Sequence, residues 1–322
     1  MHEHPLWQTS GPVRAAPIIQ VLDMRLILIL LLALVAGVLA YQAPPAVTLP
    51  IGWIGDRLFI DAGEGQAAAD ARRFYGDELT ADAPSGRSRW TRSGALISLP
   101  GIGSGDLLLT IRAQGWPVDV RERAGEQPLV TLLVDHQVVG SFTPTPLWQT
   151  YTFTIPAAAR QHTDLQLELQ IADTFTATER YPDPRPKGIR VDQIDVRAAG
   201  AWQPGLPPAG ALALLILNAM LWLLALAGLS RRPNMAFAVA VLVIAATAIA
   251  LTLVRVWVVA ILPWSITLAV MLLVIAWRSP LIEIAAALVR RFGRGAALHY
   301  GLFAAALVWL VLALATVVTA FQ

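Results

Sequence analysis

Seven residues in this chain are candidates for sugar recognition. Trp90, Trp116, Trp148 and Tyr181 offer flat aromatic rings, and Arg89 and Asp173 offer charged groups, with Arg180 as a further cation. An aromatic ring can cover the apolar face of a sugar while Arg, Asp and Asn hydrogen-bond its hydroxyls. Trp90 and Trp148 fit a second role as core or loop-plugging aromatics, and Arg89 fits a structural salt bridge equally well. Nothing assembles into a catalytic set. There is no Ser-His-Asp constellation, no phosphate-binding P-loop and no dinucleotide fingerprint; GEGQAA at 63–68 lacks the glycine spacing. The chain has no cysteine, which excludes disulfides, thiolate metal sites and Cys nucleophiles. Asp77, Glu78 and Asp82 carry oxygens of the kind Ca²⁺ takes, but their spacing matches no standard loop, so no metal is assigned. His136 and His162 stand alone in turns, expected exposed, and the HEH tract at 2–4 resembles a metal-binding tract only superficially. No cofactor is expected either. Haem needs axial His or Met, and the apolar segments offer only His299, Met220, Met235 and Met271, without a paired arrangement. The chain therefore reads as a non-enzyme with no catalytic residue.

The elements that would hold the aromatic and charged residues are strands. RWTRSGALISLP at 89–100 alternates, with Ala95, Ile97 and Leu99 on one face and Leu96 and Ser98 on the other. LQLELQI sets Leu165, Leu167, Leu169 and Ile171 against Gln166, Glu168 and Gln170, and YTFTI and IRVDQIDV do much the same. The expected strands are 57–60, 95–99, 107–113, 129–134, 138–142, 150–155, 165–171 and 189–196. Between them lie the turn signals GIGSGD, DHQ, TPTP and DPRPKG. Short strands so punctuated predict an antiparallel β-sandwich, a jelly roll, over 44–205. Pro44-Pro45 and Pro207-Pro208 bracket it as stiff linkers.

The remainder is of a different kind. Charged residues make up 14% of the chain, against about 25% in soluble domains. After Asp195 the only acid is Glu283. A run of about 16 apolar residues at 26–41 reads as a cleavable signal or as a short anchor, and the anchor is taken here. Longer uncharged runs follow at 209–229, 235–254, 256–277 and 297–321, each about 20 residues or more, long enough for a hydrocarbon core of about 30 Å. Asn218 is the one strongly polar side chain deep in a run, expected to make an interhelical hydrogen bond. Arg14, Arg25, Arg231, Arg232, Arg278, Arg290, Arg291 and Arg294 fall on one side of this arrangement, and Arg255 alone falls in the short loop on the other. The positive-inside rule then puts the N-terminus in the cytoplasm and the β-domain and C-terminus outside it, in a bacterial cytoplasmic membrane. The domain plan is a cytoplasmic segment at 1–24, a first transmembrane helix at 25–43, the sandwich at 44–205, and a four-helix transmembrane region at 206–322. Within the last, 279–295 reads as an amphipathic helix or simple connector on the inner surface. The fold class is α+β, an extracytoplasmic β-sandwich with about five transmembrane helices.

FYGDE at 74–78, RSRWT at 87–91, LWQTYTFTIP at 147–156 and PKGIRVDQIDV at 186–196 together resemble a galactose-binding-type jelly roll. The version they are similar to is the extracytoplasmic domain of some bacterial multi-pass membrane glycosyltransferases. The resemblance spans about residues 55–198 and implies a fold more than a ligand. Those enzymes carry many more membrane helices and acidic catalytic residues in outer loops. This chain has no acid near the outer face of its last four helices, so the transferase activity is not carried over.

The functional expectation is a non-catalytic integral membrane subunit of a larger cell-envelope or electron-transfer complex. The alternative is an envelope glycan-binding accessory protein or a degenerate membrane glycosyltransferase. The expected partners are the lipid bilayer, other membrane subunits and glycan. Basic residues interleaved with aromatics on a soluble face are missing, so nucleic acid is not expected.

Overall fold

A computed structural model describes residues 24–60, 62–63, 74–75, 83–161, 163–176, 184–200, 205, 207–230 and 232–278. The chain divides into two units. One comprises Gly37–Leu212 with Ala248–Ile261; the other holds the described parts of Met1–Ala36, Ala213–Thr247 and Leu262–Phe321.

The first unit is a β-sandwich. Its strands are β1 (Ala46–Pro50), β2 (Ala62–Gly63), β3 (Phe74–Tyr75), β4 (Arg89–Trp90), β5 (Ala95–Leu99), β6 (Leu107–Gln114), β7 (Val130–Val134), β8 (Gln137–Phe142), β9 (Gln149–Ile155), β10 (Leu165–Ile171) and β11 (Arg190–Ala198). A five-stranded antiparallel sheet has the order β1-β11-β6-β9 with β4 also on β11, and a four-stranded one has the order β5-β10-β7-β8. From β5 to β11 the chain crosses between the sheets at nearly every step, the winding of a jelly roll. The alternation explains the packing. Leu107, Leu109, Ile111 and Ala113 of β6 point inward and are fully buried, as are Ile97, Leu132 and Leu167 of the opposing sheet; together they form one core.

Three local features depart from the expected elements. Residues 57–60 form no strand: Asp56–Leu58 is a 3₁₀ turn and only Ile60 bridges to Ile97. Gly55, at φ 96°, starts that turn, and Asp56 is drawn inward. Ala46–Pro50, not among the expected strands, is an edge strand, where Pro50 costs no ladder bond. Val118–Ala124 is a short helix, here α2, between β6 and β7.

The first unit also contains the tip of a helical hairpin. Val256 belongs to the sandwich core, and Trp257 meets Phe59 edge-on at 4.6 Å between ring centres. Arg255, 3% exposed, donates to Ile102 O at 3.1 Å, Ala40 O at 3.0 Å and Ala43 O at 2.8 Å, and lies 4.2 Å from the Tyr41 ring.

The second unit is helical. Two helices are long and apolar enough to cross a membrane, α3 (Ala209–Ser230) and α4 (Pro233–Ala276); α1 (Met24–Ala40) is apolar but has 17 residues. Helix α4 contains a non-helical residue, Val254. Ala219 and Leu223 of α3 share one cluster with Ala236, Ala240 and Ile244, while the neighbouring Trp222 donates to Ser265 Oγ at 3.1 Å. In a straight helix residues 240 and 265 would stand about 37 Å apart, so α4 folds back at Val254 into two arms that flank α3. Asn218 makes the expected interhelical bond: Ser265 Oγ donates to its Oδ1 at 2.9 Å. The amphipathic segment at 279–295 and the run at 297–321 lie outside the described residues.

Candidate functional site

β4 pairs with the start of β11, Trp90 opposite Arg190 and Arg89 opposite Val191. A strand sends neighbours to opposite faces, so this register separates Arg89 from Trp90. Arg89 turns inward and is 4% exposed. Its Nε donates to Asp56 Oδ2 at 2.7 Å, its Nη2 to Asp56 Oδ1 at 3.2 Å, and its Nη1 to Tyr75 O at 3.2 Å. Asp56 also accepts from Gly52 N at 2.6 Å. This is a two-pronged buried ion pair that ties the 3₁₀ turn to β4.

Trp90 and Trp116 are 2% and 4% exposed and join Tyr75, Val120 and Phe175 in a small aromatic cluster. Phe175 meets Trp90 at 5.3 Å and Trp116 at 5.9 Å, both edge-on. Neither indole presents an open face to a ligand. Trp148 differs: it is half-buried beside the start of β9, with the Arg190 guanidinium 5.1 Å from its ring centre. The same guanidinium lies 5.6 Å from Trp90, so Arg190 is layered between two indoles. Its Nη1 donates to Gln114 Oε1 at 2.8 Å and its Nη2 to Ser88 Oγ at 2.9 Å. Asp173 is exposed in the segment after β10. Tyr181 lies outside the described residues, as do Arg180, Asp77, Glu78, Asp82 and His162. His136 is exposed in the β7–β8 turn, 3.8 Å from Glu168. Among the described residues no three His, Asp or Glu side chains gather as a metal site.

Trp148 and Arg190 border a row of polar groups on the outward face of the five-stranded sheet. Register places Thr48 beside Asp195, Asp195 beside Thr110, Thr110 beside Thr152, and Gln193 beside Arg112, with Arg112 beside Thr150. These positions alternate with the core residues of the same strands. Their side chains hold one another. Asp195 accepts from Thr48 Oγ1 at 2.6 Å and from Gln193 Nε2 at 2.7 Å. Gln114 Nε2 donates to Pro146 O at 2.7 Å. The ladder shifts register between Val191 and Gln193, and the extra residue of that bulge, Asp192, is fully buried. Its carboxylate takes Arg112 Nε at 2.7 and 3.0 Å and Ser85 N at 3.1 Å, which fixes the guanidinium at the face. Arg112, Gln114, Arg190, Asp192, Gln193 and Asp195 were not among the residues singled out from sequence. Their signal was there, as the polar half of LLLTIRAQ and IRVDQIDV.

The other sheet carries a hollow of about 370 Å³ on its outward side, lined by residues that include Ser93, Thr131, Glu168 and Gln170. Glu168 is buried and accepts from Gln170 Nε2 at 3.3 Å.

No protein-family profile matches the sequence, and no curated protein matches it. Solved structures with similarity include a carbohydrate-binding module, CBM4, at 15% identity, covering 48% of this chain and 95% of that one with a TM-score of 0.27. A family 29 carbohydrate-binding module matches at 12% identity over 50% of this chain and 99% of that one, TM-score 0.24. A family GH115 4-O-methyl-alpha-glucuronidase matches at 11% identity over 41% of this chain, TM-score 0.27; this chain spans 17% of its length.

Proposed function

We propose that this protein is a membrane-anchored β-sandwich that binds glycan, without chemistry, on the outward face of its five-stranded sheet. The observation that carries the reading is the half-buried Trp148 ring, braced by Arg190, at the border of a row of mutually fixed Arg, Gln, Asp and Thr side chains. A sugar needs an aromatic surface for its C–H face and donors and acceptors in fixed directions for its hydroxyls. Side chains already held by one another lose little freedom on binding.

The anchoring half rests on apolar length. α3 and α4 are long and apolar enough to cross a membrane, and the arginine distribution supports a sandwich that lies outside the cytoplasm. A second reading, the subunit of a larger membrane complex, draws on the apolar side chains that the helices leave exposed, such as Leu242 and Met271 at 67% and 59%. Lipid covers such side chains as well as another subunit does, so we place it second.

The test is a glycan array probed with the full chain in nanodiscs. Saturable binding is expected, weakened about tenfold by Trp148→Ala, roughly 1.4 kcal/mol, and unchanged by Gln170→Ala on the other sheet. Equal binding by wild type and Trp148→Ala, or binding lost only with Gln170→Ala, would sink the proposal.

A further inference from the structure

The turn between β1 and the 3₁₀ segment exposes apolar side chains that the sandwich leaves uncovered. Trp53, Ile54 and Leu58 are 46%, 96% and 41% exposed, all within six positions. Apolar surface so concentrated on a small turn marks a contact with something else. A cation accompanies it: the exposed Arg87 guanidinium lies 5.5 Å from the Trp53 ring centre. The nearby Asp56 carboxylate is already taken by Arg89 and Gly52. Among the described residues the turn's outward surface is thus apolar and cationic, the composition of segments that sit at a phospholipid interface.

What lies against the turn on its other side identifies the occupant. Gly55 is so close to Trp257 that a Cβ there would stand 2.9 Å from the indole, and Phe59 meets the same ring at 4.6 Å. Trp257 belongs to the tip of the α4 hairpin, where two uncharged arms meet. The turn is therefore continuous with the end of a hairpin whose arms have spanning length.

We infer that the Trp53–Leu58 turn is an interfacial anchor: Ile54 and Trp53 enter the headgroup–acyl boundary of the outer leaflet, and Arg87 faces lipid phosphate. This rests on the reading of the α4 arms as spans. Such a contact would fix the sandwich against the bilayer at a second point besides the helices.

The chain has no cysteine, so single cysteines report without background. Full-length Ile54→Cys, Val138→Cys and Leu242→Cys would carry an environment-sensitive maleimide fluorophore in vesicles of phosphatidylethanolamine and phosphatidylglycerol. Val138 is 68% exposed on β8 and Leu242 is 67% exposed on the first arm of α4. The expected result is blue-shifted emission at positions 54 and 242, loss of iodide quenching there, and strong quenching at 54 by a nitroxide lipid labelled near the headgroup. Position 138 should emit as in water. Water-like emission at 54 with buried emission at 242 overturns the anchor alone. Water-like emission at 242 overturns the spanning reading and the anchor with it.

Discussion

Replacing Asp56 by alanine should destabilise the β-sandwich more than any truncation on its polar face, by about 3–5 kcal/mol, the usual cost of stranding one partner of a buried ion pair. Arg89 is 4% exposed and its Nε and Nη2 both point at that carboxylate. Without the acid the guanidinium stays buried and charged, and Gly52 N loses its acceptor as well. Thermal unfolding of the full chain in nanodiscs, followed by the β-sheet circular dichroism, should show the loss as a fall of roughly 6–20 °C for a domain of this size. The double variant Asp56→Ala/Arg89→Met should recover at least half of it, because the stranded charge is gone. This experiment also decides what Arg89 is for. If Asp56→Ala left the midpoint unchanged while Arg89→Met abolished glycan binding, Arg89 would be a ligand-binding group and the assignment of its side chain to the frame would be wrong.

The second large effect is expected at Arg255. This arginine is buried at the tip of the α4 hairpin, and among the described residues its partners are three backbone carbonyls and a tyrosine ring, with no carboxylate. Two of those carbonyls, Ala40 and Ala43, lie where α1 gives way to β1, and the third, Ile102, lies in the turn between β5 and β6. One side chain therefore ties the hairpin tip to two other stretches of chain. Hydrogen bonds from a charged donor contribute about 1.5–3 kcal/mol each, and buried acceptors left without donors add a penalty. Arg255→Met should cost about 3 kcal/mol or more. Arg255→Lys should recover less than half, since an ammonium on a flexible stem does not reproduce a planar fork spread over three carbonyls. Hydrogen exchange at residues 40–45 and 99–104 should quicken in both variants. Unchanged exchange in Arg255→Met would show that the tip is held by Val256 and Trp257 packing alone.

The strand framework could be read directly from residue alternation, because a half-buried strand has to place apolar groups at every second position. Ala95–Leu99 and Leu165–Ile171 fall where LQLELQI and ALISL put them. Alternation fails where something other than burial governs the backbone. At 56–58 a glycine at positive φ and a carboxylate drawn to a distant arginine make a turn out of an apolar run. Ala46–Pro50 lies outside the expected strands, and its proline fits because an edge position has no use for the missing N–H. The candidate site was only half visible. Aromatic type singled out Trp90, Trp116 and Trp148 alike, whereas their value to a ligand depends on exposure, which tertiary packing sets. Trp90 and Trp116 went to the cluster around Phe175, and Trp148 stayed at the surface. Arg112 and Asp192 could not be paired from sequence, since 80 residues separate them and a bulge at Val191/Gln193 brings them together. Arg255 counted in the sequence only as the lone cation of its loop, and its role as a three-way tie emerges from the fold.

The glycan-binding and anchoring proposals depend on the sandwich facing away from the cytoplasm, and the cysteine-free sequence allows a direct measurement. Intact cells producing either Val138→Cys or Ser230→Cys would be treated with a membrane-impermeant maleimide, before and after lysis. Val138 is exposed on the sandwich and Ser230 ends α3 at the arginine-rich turn. Labelling of position 138 in intact cells, with position 230 reached only after lysis, is the predicted result. Labelling of position 230 in intact cells, with position 138 protected until lysis, would contradict the account.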